Sequence, residues 1–525
     1  MNPPRTLCWL GITVFFASSL LPIACITSTP FWWSSPVSPD GYGHLFAERH
    51  LHLAWNSLSL AAGATIFSLV LGVPMAFLIS KTDLAARNVI AALCVVPILV
   101  PPFIHAIVWS RLQQMIGWVS GLQIHSIWGS IWVLGLAYYP FVTLLTTSGL
   151  RGVDRGQEEA ALLSRSRWQT LRHISLPLTL PHILTGAIFV FVFSIMDFGV
   201  PDILRVSVYP VEIFVQFSTF YDNRAAALLS FPLILVALAL MLLQRRLMKE
   251  RAYISPGAGV SRTGSYSLGM VGIPGFIFCV IVLGLSIAVP VGMLLKGAGP
   301  FSSYIRVFKA SMEQMLLSFS LAAAAAFVTV LLAFLLAYIV LRGTGWQRTV
   351  LAVAVFIPFA VPATSLGVGF IEIWNRPMLD VIYSSQFIII LAYLARFLPF
   401  AVVTLHSGLK QIDRGLEEAA NLAVGSWTRV IGRVVVPLLW PSVLAAFFIV
   451  FILSLGELGT TLLVIPPGKE TIPIKIYNLM HYGAEQSVAA LCLIMIAAIM
   501  LTAGLLLLFW RTSKVVRIRS VDDRR

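Results

Sequence analysis

The sequence predicts an all-α polytopic membrane protein: about twelve transmembrane helices in two parallel six-helix repeats. Three observations predict it. Of the 525 residues, 58% are hydrophobic and only 11% charged, where a soluble globular chain carries about 25% charged residues. Apolar runs of about 20 residues recur along the chain, long enough to cross a bilayer as helix. One polar stretch occurs twice: residues 153–181 read VDRGQEEAALLSRSRWQTLRHISLPLTLP, and residues 412–441 read IDRGLEEAANLAVGSWTRVIGRVVVPLLWP. Asp154, Arg155, Gly156, Glu158, Glu159, Ala160, Ala161, Leu163 and Trp168 recur 259 positions later as Asp413, Arg414, Gly415, Glu417, Glu418, Ala419, Ala420, Leu422 and Trp427. Pro177 and Pro181 recur 260 later as Pro437 and Pro441.

The first span covers residues 7–26. It follows MNPPRT and has a long apolar run with no clean small-x-small cleavage site, so it reads as an uncleaved span and not as a signal peptide. Residues 57–79 open the repeated core. Residues 89–109 carry Pro97 and Pro101, and residues 127–147 carry Pro140. After the polar stretch come 183–203, with Asp197, and 226–243, which ends against Arg245 and Arg246. The second set is 269–295, 317–341, 350–373, 387–404, 440–464 and 489–510. Between the sets, residues 244–268 form a basic linker. Its Ser-Pro-Gly-Ala-Gly stretch at 255–259 cannot hold a helix and reads as a flexible joint. The division is therefore a first half 1–243 with its core at 52–243, a linker 244–268, a second half 269–510 with its core at 313–510, and a basic tail 511–525.

The repeat extends well beyond the polar stretch. Pro97 and Pro101 match Pro358 and Pro362, and Pro140-Phe141 matches Pro399-Phe400. Ser194, Asp197 and Gly199 match Ser454, Glu457 and Gly459. This is a fused tandem duplication. Six spans per half is an even number, so the halves share one orientation and are parallel repeats. With both termini in the cytoplasm, 25 of the 36 Lys and Arg fall in cytoplasmic segments. That bias favours this orientation and places both copies of the polar stretch in the cytoplasm.

The net charge of +14 belongs to this loop asymmetry, and nucleic-acid binding is not expected. The five cysteines, Cys8, Cys25, Cys94, Cys279 and Cys492, lie in apolar runs without CxxC or Cys/His spacing. They imply neither a metal site nor a disulfide framework.

Within each copy, Asp154 and Asp413 suit a helix N-cap. Glu158, Glu159, Glu417 and Glu418 then sit in the first turns, where the helix dipole favours anions. Ala160-Ala161 and Ala419-Ala420 form helix readily and let a partner surface approach closely. The helix is expected to break near Arg165-Ser166 and Val424-Gly425. A second short helix then carries Trp168 or Trp427, with Pro177 and Pro437 ending it.

This pattern resembles the EAA motif of ATP-binding-cassette importer permeases: Glu-Ala-Ala, a glycine some way on, then an apolar residue, x, Leu-Pro. Glu159-Ala160-Ala161 with Leu176-Pro177 fits the first copy, and Glu418-Ala419-Ala420 with Val436-Pro437 the second. The motif's glycine is Arg165 in the first copy and is shifted to Gly425 in the second. The resemblance implies the type I importer permease fold, with each loop a coupling helix docked on a cytoplasmic ATPase. The docking residues would be Asp154, Gly156, Glu158, Glu159, Ala160 and Ala161, and Asp413, Gly415, Glu417, Glu418, Ala419, Ala420 and Gly425. The sequence has no G-x-x-x-x-G-K-[ST] phosphate loop; Gly468-Lys469 lacks both the upstream glycine and the Ser or Thr. The chain is thus expected to be no enzyme and to bind no cofactor. ATP would be used by two partner ATPase subunits, and cargo delivered by a periplasmic or lipid-anchored substrate-binding protein. The expected location is the bacterial inner membrane, among lipid.

The stretches FSIMDFGVPDIL (193–204), TSLGVGFIEIWNRP (364–377) and SLGELGTTLLVIPPG (454–468) are most similar to ferric-iron permeases. Thiamine, phosphonate, polyamine and sulfate or molybdate importers share much of the pattern. Ionisable residues inside spans usually face the bundle interior or a water-filled path. Asp197 and Glu457 either line the path or cap a bent helix beside a glycine. Arg396 either pairs with a carboxylate or sits where the helix breaks before Pro399. His105 is either a hydrogen-bonded core residue or part of the path. The rivals are a secondary transporter, which has no use for twin EAA loops, and a membrane scaffold, which has no use for matched intramembrane acids.

Overall fold

In the computed structural model, residues 4–32, 48–117, 123–249, 269, 272–343 and 346–522 are described. The flexible joint expected at 255–259 lies outside them. In chain order the principal helices of the first half are α1 (Thr6–Ser28), α2 (Glu48–Lys81), α3 (Arg87–Leu99), α4 (Pro102–Ile116) and α5 (Ile127–Gly152). They continue with α6 (Arg155–Leu162), α7 (Trp168–Met196), α8 (Gly199–Ile203), α9 (Tyr209–Ser218) and α10 (Asn223–Lys249). The second half runs α11 (Gly272–Ala298), α12 (Phe301–Ala310), α13 (Met312–Arg342), α14 (Arg348–Ala360) and α15 (Ala363–Trp374). It ends with α16 (Phe387–Leu409), α17 (Arg414–Val424), α18 (Trp427–Leu455), α19 (Thr461–Val464), α20 (Ile472–His481) and α21 (Glu485–Asp522).

Ten of these helices are long and apolar enough to span a membrane, and two further bent pairs bring the total to twelve. The expected spans at 89–109 and 350–373 are not straight. The pair α3 and α4 bends by 93°, and the pair α14 and α15 by 104°. Pro101-Pro102 and Pro362 stand at these bends, where proline restricts the residue before it and removes a backbone donor.

Two ion pairs show that each bent pair still makes one net crossing. Lys81, the last residue of α2, contacts Glu158 of α6. Between them α5 crosses once, so the bent pair must cross once as well to return the chain to the same side. Arg342, ending α13, meets Glu417 of α17 in the same way.

The expected spans at 183–203 and 440–464 also end early, at Met196 and Leu455, and short helices follow each break. A carboxylate stands at each break, Asp197 and Glu457, and turns back onto the next backbone N–H groups. Pro177 and Pro437 do not end a short helix as expected. Each lies just beyond a five-residue π-helical turn, Leu171–Ser175 or Ile431–Val435, and the helix continues through it. A π turn shifts the hydrogen-bond register, which accommodates the proline's missing N–H and bulky ring.

The chain forms two compact units. One holds residues 37–212 and 231–297, and the other holds 1–36, 213–230 and 298–525. This differs from the division at residue 243 in one respect that matters: the first span of each half packs with the other half's helices. In the first unit, α2, α5 and α7 pack together and α11 joins them. There Met75, Ile90, Cys94 and Tyr139 share an apolar core with Cys279 and Val282 of α11. In the second unit, α13, α16 and α18 form the core and α1 packs on it.

Gly369 of α15 is what admits α1. A Cβ at 369 would overlap the backbone carbonyl of Pro22, which cannot swing aside as a flexible side chain can. Gly369→Ala is expected to lower stability by about 1–3 kcal/mol, read as thermal unfolding of the purified chain in detergent. A neutral result would show that α1 is not held there.

Candidate functional site

Each copy of the repeated loop folds as expected at its start. The carboxylate of Asp154 accepts from the Gly156 N–H at 2.9 Å, and Asp413 from the Gly415 N–H at 3.2 Å. These caps satisfy backbone donors that a helix start leaves free. The ends differ. Helix α17 runs eleven residues and stops at Gly425, whose φ of 64° is left-handed, with its N–H on the Asn421 carbonyl. A glycine adopts that conformation without steric cost. The first copy lacks it, and α6 ends after eight residues. Ser166 then opens the next helix, exchanging hydrogen bonds with Gln169.

The helix faces divide the residues expected to dock a partner. Glu159, Ala160, Glu418 and Ala419 are exposed, as are Asp154, Gly156, Asp413, Gly415 and Gly425. So are Leu163 at 91% and Leu422 at 89%, which occupy the same place in the two copies. Ala161 is buried and Ala420 half-buried. Glu158 and Glu417, also in the expected docking set, are turned inward. They are 7% and 2% exposed. Lys81 Nζ donates to both oxygens of Glu158, at 2.8 and 2.7 Å, and Ser175 Oγ donates at 2.6 Å. Arg342 donates to Glu417 from Nε at 3.1 Å and Nη2 at 2.7 Å, and Tyr338 adds its hydroxyl at 3.1 Å. The reason is helical geometry: successive positions are 100° apart, so of two adjacent glutamates one faces out and one faces in.

Lys81, Arg342, Ser175 and Tyr338 were missed at the level of sequence. A signal existed for two of them. Lys81 and Arg342 are 261 positions apart, the offset that relates Pro97 to Pro358. The repeated tryptophans do not match in environment: Trp168 is 68% exposed, while Trp427 is half-buried, edge-on to Tyr338 at 5.7 Å.

The acids inside the bundle hold backbone. Glu457, 4% exposed, accepts from Thr460 and Thr461 N–H at 2.8 Å each and from the Thr461 hydroxyl. Arg396 Nε lies 3.8 Å from it, with the Arg396 side chain 29% exposed. The arginine thus has its carboxylate. Asp197 accepts from Val200 N–H at 2.8 Å and from the Tyr138 hydroxyl at 3.3 Å, and is half-exposed. His105 is fully buried on α4, and neither ring nitrogen has a hydrogen-bond partner among the described residues. That differs from the hydrogen-bonded core histidine considered above. No group of three or more His, Cys, Asp or Glu able to hold a metal ion occurs among the described residues.

A family model for the binding-protein-dependent transport system inner membrane component matches residues 68–252 and, again, 329–513. The chain belongs to this family. Both matches to the inner membrane component begin inside the second span of a half, α2 or α13, and leave α1 and α11 outside. Those are the spans that pack with the opposite half. Among relatives of this component, the chain is 25% identical over 460 residues to the Fe(3+)-transport system permease protein FbpB 2 of Haemophilus influenzae, covering 85% of this chain and 87% of the relative. It is 24% identical over 537 residues to the ferric transport system permease protein FbpB of Actinobacillus pleuropneumoniae, covering 93% and 76%. A shorter match, 30% over 152 residues, is to the putative 2-aminoethylphosphonate transport system permease protein PhnV of Salmonella typhimurium, covering 29% of this chain and 57% of that protein.

Proposed function

We propose that this inner membrane component is the fused permease of an ATP-driven importer, with α6 and α17 each docking one cytoplasmic ATPase subunit. The observation that carries this reading is the matched outer face of the two helices: an exposed Glu-Ala pair, Glu159-Ala160 and Glu418-Ala419, followed by a leucine left about nine-tenths in solvent. Apolar side chains that exposed, repeated at one position in both copies, suit a surface that a partner covers. With two docking helices the complex holds two ATPase copies, which use the ATP. The loop face is then cytoplasmic, as are both termini, in line with the lysine and arginine bias. A binding protein delivers cargo to the opposite face. The permease itself carries out no hydrolysis and binds no cofactor.

The cargo in this reading is ferric iron, the ion carried in the names of the relatives that match most of the chain. In this reading Asp197, Arg396, Glu457 and His105, ionisable residues within the spans or at their breaks, belong to the path. The test is uptake by proteoliposomes holding the chain, its ATPase and its binding protein. ATP-dependent entry of ferric iron, with no comparable entry of aminoethylphosphonate or thiamine, is the expected result. Selective entry of another cargo would overturn the iron assignment, and entry without ATP the importer reading.

A further inference from the structure

The inward glutamates raise a physical question. A buried ion pair is a poor way to gain stability, because desolvating both charges offsets their attraction and apolar replacements are often as stable. What it does supply is a fixed geometry. Here that geometry joins elements far apart in sequence: Lys81 is 77 residues from Glu158, and Arg342 is 75 from Glu417.

The link is made twice with different chemistry. In the first copy one ammonium spans both carboxylate oxygens, and Ser175 adds a third bond from within the π turn. Val435 stands at the place of Ser175 in the second copy. There the third bond comes from Tyr338, one turn before Arg342 on α13, and the guanidinium also reaches the Ile412 carbonyl at 3.0 Å. The donors differ while the connection stays the same: last residue of the span to first turn of the exposed helix. The covalent route from each exposed helix into the next span, by contrast, passes through a π turn and a proline, where regular helix hydrogen bonding is interrupted.

We propose that Lys81–Glu158 and Arg342–Glu417 are struts that carry displacement of each docking helix directly to α2 and α13, bypassing the π turn. This rests on the docking reading above. Lys81 and Arg342 are positioning residues: they touch neither cargo nor ATPase, and set how the docking helix moves with the span. A lysine at one strut and an arginine at the other shows that either cation fits the role, provided it ends the span and reaches the carboxylate.

The experiment uses the full chain with its ATPase and binding protein in proteoliposomes. Lys81→Met with Glu158→Gln removes both charges together, so no buried ion is left unpaired. This variant is expected to bind the ATPase and sustain ATP hydrolysis while cargo entry per ATP falls by about tenfold or more. Lys81→Arg is expected to keep entry within about twofold of the parent. Unchanged entry per ATP in the double variant would overturn the proposal. Loss of the ATPase from it would do so too, by making the pair part of the docking surface. A second measurement needs no change to the pair: spin labels at the exposed Val70 of α2 and Leu162 of α6 are expected to hold one separation with and without nucleotide. A separation that changes with nucleotide would overturn the rigid link. An ATPase that fails to bind even the parent chain would instead refute the docking reading.

Discussion

Glu159→Arg combined with Glu418→Arg removes ATP-driven uptake. Both side chains stand on the exposed faces of short capped helices. Glu418 pairs with Arg414 one turn before it at 3.0 Å, both side chains exposed to solvent, and such pairs contribute at most about 1 kcal/mol. The fold therefore tolerates the change, since surface substitutions away from structural features stay within about 0.5 kcal/mol. At a docking surface the effect is far larger. Reversing a charge against a complementary partner costs several kcal/mol, and 1.4 kcal/mol is a factor of about ten in affinity. Pull-down of the ATPase with the purified chain is expected to fall by about 100-fold or more, with the chain's thermal unfolding unchanged. Leu163→Asp with Leu422→Asp is expected to act the same way, by placing a charge where an apolar side chain is covered. Retained ATPase in both double variants would show that these helices do not dock it.

Glu457→Ala is the expected stability lesion. It strips the acceptor from two buried backbone N–H groups and a threonine hydroxyl, and leaves Arg396 without the carboxylate 3.8 Å away. Each orphaned buried donor costs about 1–3 kcal/mol, and the half-exposed Arg396 loses its carboxylate as well. Loss of most of the folded fraction in detergent is expected. Asp197→Ala, at the matching break, removes one backbone bond and a longer bond from the Tyr138 hydroxyl, both on a half-exposed side chain, and is expected to cost less, about 1–2 kcal/mol. Unfolding of the two variants in increasing denaturant compares them directly. A larger effect at Asp197 would contradict the capping roles assigned here.

Sequence and structure agree where the governing forces are local. The spans follow from runs of apolar residues, the helix starts from Asp154 and Asp413, and the stop at Gly425 from a residue that takes positive φ freely. They diverge where partners lie far apart in the chain. Glu158 and Glu159 are alike as residues, and nothing adjacent tells which one faces a lysine 77 positions earlier. Asp197 and Glu457 looked equivalent through the repeat, yet one is half-exposed and the other sealed, because the residues around the two breaks differ. Pro101 and Pro362 stand at the bends, but a proline limits backbone angles without setting a direction, so bends of 93° and 104° follow only from how the helices pack.

The sequence by itself determined that this is a duplicated twelve-span membrane protein with twin capped helices carrying Glu-Ala-Ala. Hydropathy, capping and internal repetition are all written in neighbouring residues. Only the tertiary structure decided which glutamate of each pair is tied to the end of a span, and that α1 and α11 pack with the opposite half's core. Those outcomes depend on burial and close approach between segments tens to hundreds of residues apart. Hydropathy makes α1 apolar; the absence of a side chain at Gly369, on a helix more than 300 positions away, lets Pro22 settle against it.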